Sequence, residues 1–401
     1  MKSILKKILV KVLGWQVRRL RKRNNFKIIG VVGSIGKTST KLAIAKVLAS
    51  EKRVRYQEGN YNEIISAPLI FFGQKMPQLW NVWQWLVIII KNEWQIWRKF
   101  PFDVVVVELG TDAPGQIAEF RKYLHLDIAV ITAIAPEHME FFKNLQNVAE
   151  EEWSVRFFSD LIYANRDLCK VLPEDFNHSN VVFYGKNFDA DYKYEVISSV
   201  QLYSISIAII LAEKFKIPNE KIKRAVSEIK SFSGRMQKLK GIKNSAIIDD
   251  TYNASPDAVK MALDALYAFE SPQRIAILGM MNELGGVSEE EHRKVGKYCD
   301  AKLLDRVITV GKDANLFLAK EAEDRGCKVY RAKNAMDAGL FVKDKIKEEA
   351  VILAKGSQNG VFTEESLKPL LKNKTDFSKL VRQDKYWMKL KKEQGLITPH
   401  I

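Results

Sequence analysis

Cysteine is scarce in this chain of 401 residues: there are three, Cys169, Cys299 and Cys327, far apart and without paired spacing. That excludes a disulfide framework and a zinc ribbon, and it points to a reducing cytoplasm with buried thiols. Acid is missing from residues 1–50, although 48 Asp and Glu follow later. No apolar run is long and uninterrupted enough to cross a bilayer. No small-residue cleavage site follows the first segment, which argues against a secretory signal. Internal repeats and low-complexity tracts are also lacking. With 47% hydrophobic and 28% charged residues, whole-chain disorder is excluded.

What is present begins with charge. The net charge is +16, and Lys2, Lys6, Lys7, Lys11, Arg18, Arg19, Arg21, Lys22 and Arg23 crowd the start. Such a balance suits nucleic acid, an anionic membrane surface or acidic substrates. No nucleic-acid reading module accompanies it, so no nucleic acid partner is expected. Ile4, Leu5, Ile8, Leu9, Val12, Leu13, Val17 and Leu20 recur at helical spacing, predicting a basic amphipathic helix over 2–23. It either lies in a membrane interface or packs on the following domain with its basic face in water. A second unusual stretch, 79–100, holds Trp80, Trp83, Trp85, Trp94 and Trp97 around Leu86–Ile90. It reads as a membrane-facing surface, a greasy substrate channel, or an aromatic helix buried between domains.

From Lys27 onward, short apolar runs alternate with helical patterns. Strands are expected at Ile28–Val32, Val104–Val107, Ile128–Ile134, Val181–Tyr184, Ala246–Ile248, Ile275–Leu278, Val307–Val310 and Val351–Ala354. Continuous apolar strands separated by helices predict an α/β protein with mostly parallel sheets covered on both faces.

The sharpest motif is Gly33-Ser34-Ile35-Gly36-Lys37-Thr38, after a strand and opening a helix from Ser39 to Leu48. Glycines there turn backbone N–H groups toward phosphate, and the helix N-terminus adds partial positive charge. Lys37 would neutralise terminal phosphates and the Thr38 hydroxyl would reach Mg²⁺. The longer Walker spacing would require glycine at 31, where this chain has Val31. Further ligands follow strand ends, where open α/β sheets hold theirs. One strand runs into Glu108, another into Glu137 and His138. Thr38, Glu108 and His138 could complete an Mg²⁺ shell with phosphate oxygens and water.

These motifs, and others in the same order, resemble the Mur ligase family, specifically its D-alanyl-D-alanine-adding type, from about Lys27 to Leu371. The matching segments are Gly59-Asn60-Tyr61-Asn62 with Pro68, Glu108-Leu109-Gly110 with Pro114-Gly115-Gln116-Ile117, and His138-Met139-Glu140. Later come Gly234-Arg235-Met236-Gln237, Asp249-Asp250-Thr251-Tyr252-Asn253-Ala254 with Pro256, Gly279 through Gly285, and Lys355-Gly356-Ser357. The resemblance implies an ATP-dependent, amide-forming ligase. ATP phosphorylates a substrate carboxylate, and an amine then displaces phosphate. It implies a P-loop central domain plus a C-terminal Rossmann-like domain that closes over the ATP. The phosphate loop through Ser39 would hold the nucleotide with Arg235, Asp250 and Asn253. Asn60, Asn62, Lys355 and Ser357 would face the substrates.

Two departures accompany it. The family usually carries a carbamylated lysine after the His-x-Glu segment, and by register that position is Glu152 here. A glutamate either supplies the carboxylate directly or leaves the second metal site weaker. The acidic residue usual after Gly279 is replaced by Met280. Lys37, His138 and Glu152 are thus the expected catalytic residues, and ATP and Mg²⁺ the expected cofactors.

The expected plan is a basic helix over 1–25, an ATP-binding domain over 26–232, a C-terminal domain over 233–375 and a basic tail over 376–401. Only about 26 residues precede the first strand, too few for the family's usual UDP-binding domain. The expected partners are a small-molecule or lipid-linked cell-wall precursor and an amino acid or dipeptide. Peripheral contact with the inner face of the membrane is expected through 1–23 and 79–100. The alternatives are a related ligase acting on another carboxylate and a weakly catalytic nucleotide-binding scaffold at the membrane.

Overall fold

A computed structural model describes residues 2–57, 61–177, 179–186, 192, 198–358 and 360–395. The chain divides into two compact units. The first comprises residues 1–135, 141–195 and 200–229; the second comprises 136–140, 196–199 and 230–401.

The first unit is built on a six-stranded sheet ordered β2-β3-β1-β4-β5-β6. Its strands are β1 (Lys27–Val32), β2 (Val54–Arg55), β3 (Val104–Glu108), β4 (Ile128–Ile131), β5 (Ile162–Asn165) and β6 (Val181–Tyr184). All five pairings are parallel. Val104 through Val107 are buried on both faces, as β-branched residues in a covered parallel strand should be.

The second sheet is ordered β11-β10-β9-β12-β8-β7. It comprises β7 (Gln237–Lys240), β8 (Ala246–Asp250), β9 (Arg274–Gly279), β10 (Arg306–Val310), β11 (Val329–Ala332) and β12 (Val351–Lys355). Only β7 runs antiparallel, at an edge. Apolar clusters cover both faces of this sheet. The expected mostly parallel α/β architecture is the one observed.

The expected strand 128–134 stops at Ile131. Beyond it the backbone turns to other partners: Ser34 donates to the Ala133 carbonyl, and Ile134 donates to Leu168. Strands β2, β7 and β11 had no clear apolar signature, being short or charged edge strands. Interior β5 (Ile-Tyr-Ala-Asn) was also not anticipated, since four residues with a polar end carry little pattern. All three cysteines are buried, and burial pushes the Cys169 thiol up to about 12.

The N-terminal segment forms helix α1 (Lys2–Arg23). Leu9, Leu13, Val17 and Leu20 are buried, whereas Ile4 and Ile8 face outward. The apolar stripe is therefore divided, with Leu9 and Leu13 packing in a cluster with Ile65, Leu69, Trp85 and Ile88. Leu69 belongs to α3 (Ala67–Phe72), which follows α2 (Lys37–Leu48) of the phosphate loop. Trp85 and Ile88 belong to α4 (Val82–Ile96), the helix of the tryptophan-rich stretch. That helix is neither buried all round nor a membrane span: among the described residues no helix is long and apolar enough to cross a bilayer. Gln16 joins the pair, donating to the Ile89 carbonyl (3.0 Å) and Glu93 (2.9 Å) and accepting from Asn92 (3.0 Å).

Candidate active site

The phosphate loop leaves the carboxyl end of β1 and enters α2 at Lys37, two residues earlier than expected. Gly33 and Gly36 have φ of 118° and 86°, in the left-handed region. A Cβ on Gly33 would come within 2.4 Å of the Thr132 hydroxyl, so the loop requires glycine for space as well as for conformation. Ser34 fastens the loop to the segment after β4, its hydroxyl accepting from the Ala135 N–H at 3.0 Å. Lys37 curls back so that its ammonium donates to the Gly33 carbonyl, lying over the loop it is expected to serve.

At the end of β3, Glu108 is buried and bound on both oxygens. The Thr38 hydroxyl donates to Oε1 at 3.2 Å, and the ammonium of Lys41, itself 2% exposed, lies 3.0 Å from Oε2. Lys41 was not anticipated, because a lysine one turn into a helix carries no distinguishing signal. Its place on α2, three residues after Thr38, lets the same helix supply both partners of one carboxylate. Asn62 lies beside the strand end too: its carbonyl accepts from the Gly110 N–H at 2.8 Å. Asn60, the other expected substrate contact on this side, lies outside the described residues.

Glu152 is fully buried, on the helix Leu145–Trp153, and its Oε2 accepts from the Gly33 N–H at 2.7 Å. Its neighbour Glu151 serves a different loop. It accepts from the Thr111 hydroxyl (2.9 Å), the Gly115 N–H (2.5 Å) and the Ile117 N–H (2.6 Å). Glu151 was also missed; two adjacent carboxylates gave no sign of which loop each would hold.

Among the described residues no three His, Cys, Asp or Glu side chains cluster to hold a metal. The donors at the loop are instead a hydroxyl and a carboxylate, Thr38 and Glu108, with the Glu152 carboxylate on Gly33. A hard, mostly hydrated Mg²⁺ needs only one or two such oxygens besides phosphate. The residues present therefore fit it, with Lys41 balancing the second Glu108 oxygen.

The remaining candidates fall in the second unit. His138, at φ 46°, pairs through Nδ1 with Glu283 at 3.0 Å, and Glu283 itself has φ 66°. The hydrogen bond from His138 lowers the Glu283 carboxyl below its usual range. At the end of β8, Asp250 accepts from the Met236 N–H at 3.1 Å and binds the buried Lys355 ammonium at 2.5 Å. Lys355 also donates to the Asn253 carbonyl at 3.0 Å. A candidate for the incoming substrate is thus locked onto two candidates for the nucleotide. Ser357 is buried, donating to the Ala254 carbonyl (3.1 Å) and accepting from Asn282 (2.9 Å). The Arg235 guanidinium lies 3.9 Å over the Tyr252 ring.

This Asp249–Ala254 loop is braced by residues expected to be a basic tail. Arg382 donates to the carbonyls of Thr251 (2.5 Å) and Tyr252 (2.9 Å) and forks onto Glu364. Lys391 is fully buried, 2.8 Å from Glu364 and 2.6 Å from Glu365. Of the expected basic tail over 376–401, described to residue 395, Arg382 and Lys391 are thus paired with buried carboxylates, which composition alone does not disclose.

Two family models match the chain: the Mur ligase middle domain over 98–227 and the Mur ligase glutamate ligase domain over 234–358. Among curated relatives, the UDP-N-acetylmuramoyl-tripeptide–D-alanyl-D-alanine ligase of Bacillus subtilis (strain 168) is 27% identical over 380 residues. That match spans 86% of this chain and 76% of the relative. The Escherichia coli (strain K12) ligase of the same name is 23% identical, over 87% of this chain and 78% of its own. Among solved structures, the MurF ligase from Thermotoga maritima in complex with ADP superposes with a TM-score of 0.69. It is 22% identical and matches 90% of this chain and 83% of that one.

Proposed function

The chain belongs to the Mur ligase family and is an ATP-dependent carbon–nitrogen ligase, and we propose that it adds D-alanyl-D-alanine, or a similar amino compound, to a peptidoglycan precursor in the cytoplasm. The relatives named for that reaction support the substrates. The observation that carries the reading is the constellation around one loop: Thr38 and Lys41 on Glu108, and Glu152 on Gly33.

In the proposed reaction a carboxylate oxygen of the precursor attacks the terminal phosphorus of ATP, and ADP leaves. The amine nitrogen then attacks the acyl phosphate carbon, and the tetrahedral intermediate expels inorganic phosphate, leaving an amide. Loop N–H groups and the start of α2 bind the phosphates. Lys37 exchanges the Gly33 carbonyl for the transferring phosphoryl group, whose negative charge it stabilises. Mg²⁺, when bound through Thr38, Glu108 and Glu152, supplies further charge neutralisation on the phosphate oxygens. His138 is proposed as a further ligand of that site. Arg235, Asp250 and Asn253 are assigned to the nucleotide, and Asn60, Asn62, Lys355 and Ser357 to the substrate side.

The test is phosphate release from ATP and Mg²⁺ with UDP-MurNAc-tripeptide and D-alanyl-D-alanine. Release that requires both substrates supports the assignment. Release sustained only by a lipid-linked or unrelated carboxylate would replace the acceptor. Nucleotide binding without turnover on any of them would favour a scaffold.

A further inference from the structure

Two helices of the first unit carry a surface that contributes no residue to the candidate active site. Trp83, Leu86, Ile90 and Trp94 of α4, with Trp97 just beyond it, recur every three or four residues and form one outward row. They are 46–75% exposed. The opposite face, Trp85, Ile88, Asn92 and Ile96, is the buried one. The row is therefore not core, and contiguous exposed apolar surface of this kind marks an interaction site. Beside it, α1 exposes Ile4, Ile8 and Trp15.

The charge around the row is mostly positive, and the nearby acids Glu63 and Glu93 are each paired with a cation of α1, Lys6 at 3.1 Å and Arg19 at 2.5 Å. Helix α1 has nine Lys and Arg and no acid. The one acid of α4, Glu93, is held by Arg19 at 2.5 Å and by Gln16. The guanidinium groups of Arg19, Arg23 and Arg98 lie over the rings of Trp15, Trp97 and Trp94 at 4.3, 4.3 and 3.2 Å. Indoles bordered by cations suit the headgroup level of a bilayer, where the ring meets apolar carbon and the cation meets lipid phosphate. A run of cations that outnumbers its paired acids selects anionic lipid over neutral lipid.

We propose that the α1–α4 face docks flat on an anionic lipid bilayer, with the tryptophan row at headgroup depth and the α1 cations on lipid phosphates. This goes beyond the ligase reading and is testable apart from it. The full chain is sedimented with vesicles of phosphatidylcholine alone and of phosphatidylcholine mixed equally with phosphatidylglycerol. Binding to the mixed vesicles only, weakened by salt, is expected. The variant Trp83→Ser/Trp94→Ser should lose about tenfold or more in vesicle affinity while keeping its melting temperature. The variant Lys7→Glu/Lys11→Glu/Lys22→Glu should lose the preference for anionic lipid. Failure to bind the mixed vesicles overturns the proposal, as does binding undiminished in both variants. A concentration-dependent dimer abolished by the tryptophan changes, without vesicle binding, would assign the row to a second copy of the chain instead. Phosphate release on the same samples reports the ligase reading separately and should not change with either variant.

Discussion

Gly33 donates its backbone N–H to Glu152 Oε2 at 2.7 Å, so a fully buried carboxylate rests on the first glycine of the phosphate loop. A negative group this close to a phosphate site is unfavourable unless a cation comes between them. On that ground Glu152 is proposed to serve where the family usually carries a carbamylated lysine.

Glu152→Gln keeps an oxygen for the Gly33 N–H and removes the charge. It should keep its melting temperature and lose turnover, with a higher Mg²⁺ requirement. Glu152→Ala should in addition lose about 1–3 kcal/mol of stability, because a buried N–H is left unsatisfied. Turnover and Mg²⁺ dependence unchanged in Glu152→Gln would remove the residue from the metal site.

Lys37→Ala should lower kcat by roughly 10²- to 10³-fold, the scale for deleting one charge-stabilising group, with the fold intact. The check is phosphate release beside a melting curve. Activity near that of the parent chain would sink the phosphate-loop assignment.

Lys41→Met leaves Glu108 as a buried carboxylate whose ammonium partner is gone. A cost of about 3–5 kcal/mol is expected, read by denaturant unfolding. The double change Lys41→Met/Glu108→Gln should recover most of that stability without recovering turnover. No recovery would mean that the pair contributes little beyond its individual groups.

Arg382→Ala should weaken ADP binding, measured by calorimetry, because the loop bearing Asp250 and Asn253 loses its brace. Two carbonyls lose their donor, at about 1–3 kcal/mol of stability. Arg382→Lys keeps the charge and loses the fork, so it should rescue only part. A lower melting temperature with unchanged ADP affinity would show that the loop holds its shape alone.

Acid should act through His292. Burial lowers its imidazole pKa; Nε2 accepts from the Met281 N–H at 3.0 Å, and Nδ1 faces the Ser288 carbonyl at 2.7 Å. The unfolded chain takes up that proton more readily. The stability it contributes is therefore full above about pH 6.5 and is lost as pH falls from there through the lower folded value. Asp249, raised to about 6 by burial, works in the opposite direction over an overlapping window. The readout is accordingly the difference between the parent chain and His292→Asn: the variant should lose less stability between about pH 6.5 and 5. Parallel curves would refute it.

Much of the fold was readable because β1, β3, β8, β9, β10 and β12 are runs of buried Val, Ile, Leu and Ala with little else to be. The phosphate loop was readable because its glycines and Lys37 sit at fixed spacing behind a strand. What escaped depends on partners distant in sequence. Lys41 and Glu108 are 67 positions apart, and Arg382 reaches Thr251 across 131. A basic residue in a list does not disclose whether it ends in water or against a carboxylate. The divided stripe of α1 shows the same limit, since periodicity gives a face but not what covers it.

Gln16 has a consequence for how the α1–α4 face meets another surface. Its amide is matched to Ile89, Asn92 and Glu93 at one setting of the two helices, and sliding α1 by a turn would break these bonds and part the buried amides of Gln16 and Asn92. The spacing between Trp15, Arg23 and the α4 row is thereby indexed before any contact is made. A rigid plate of this kind gives up little conformational freedom on association, unlike a helix that must fold as it lands.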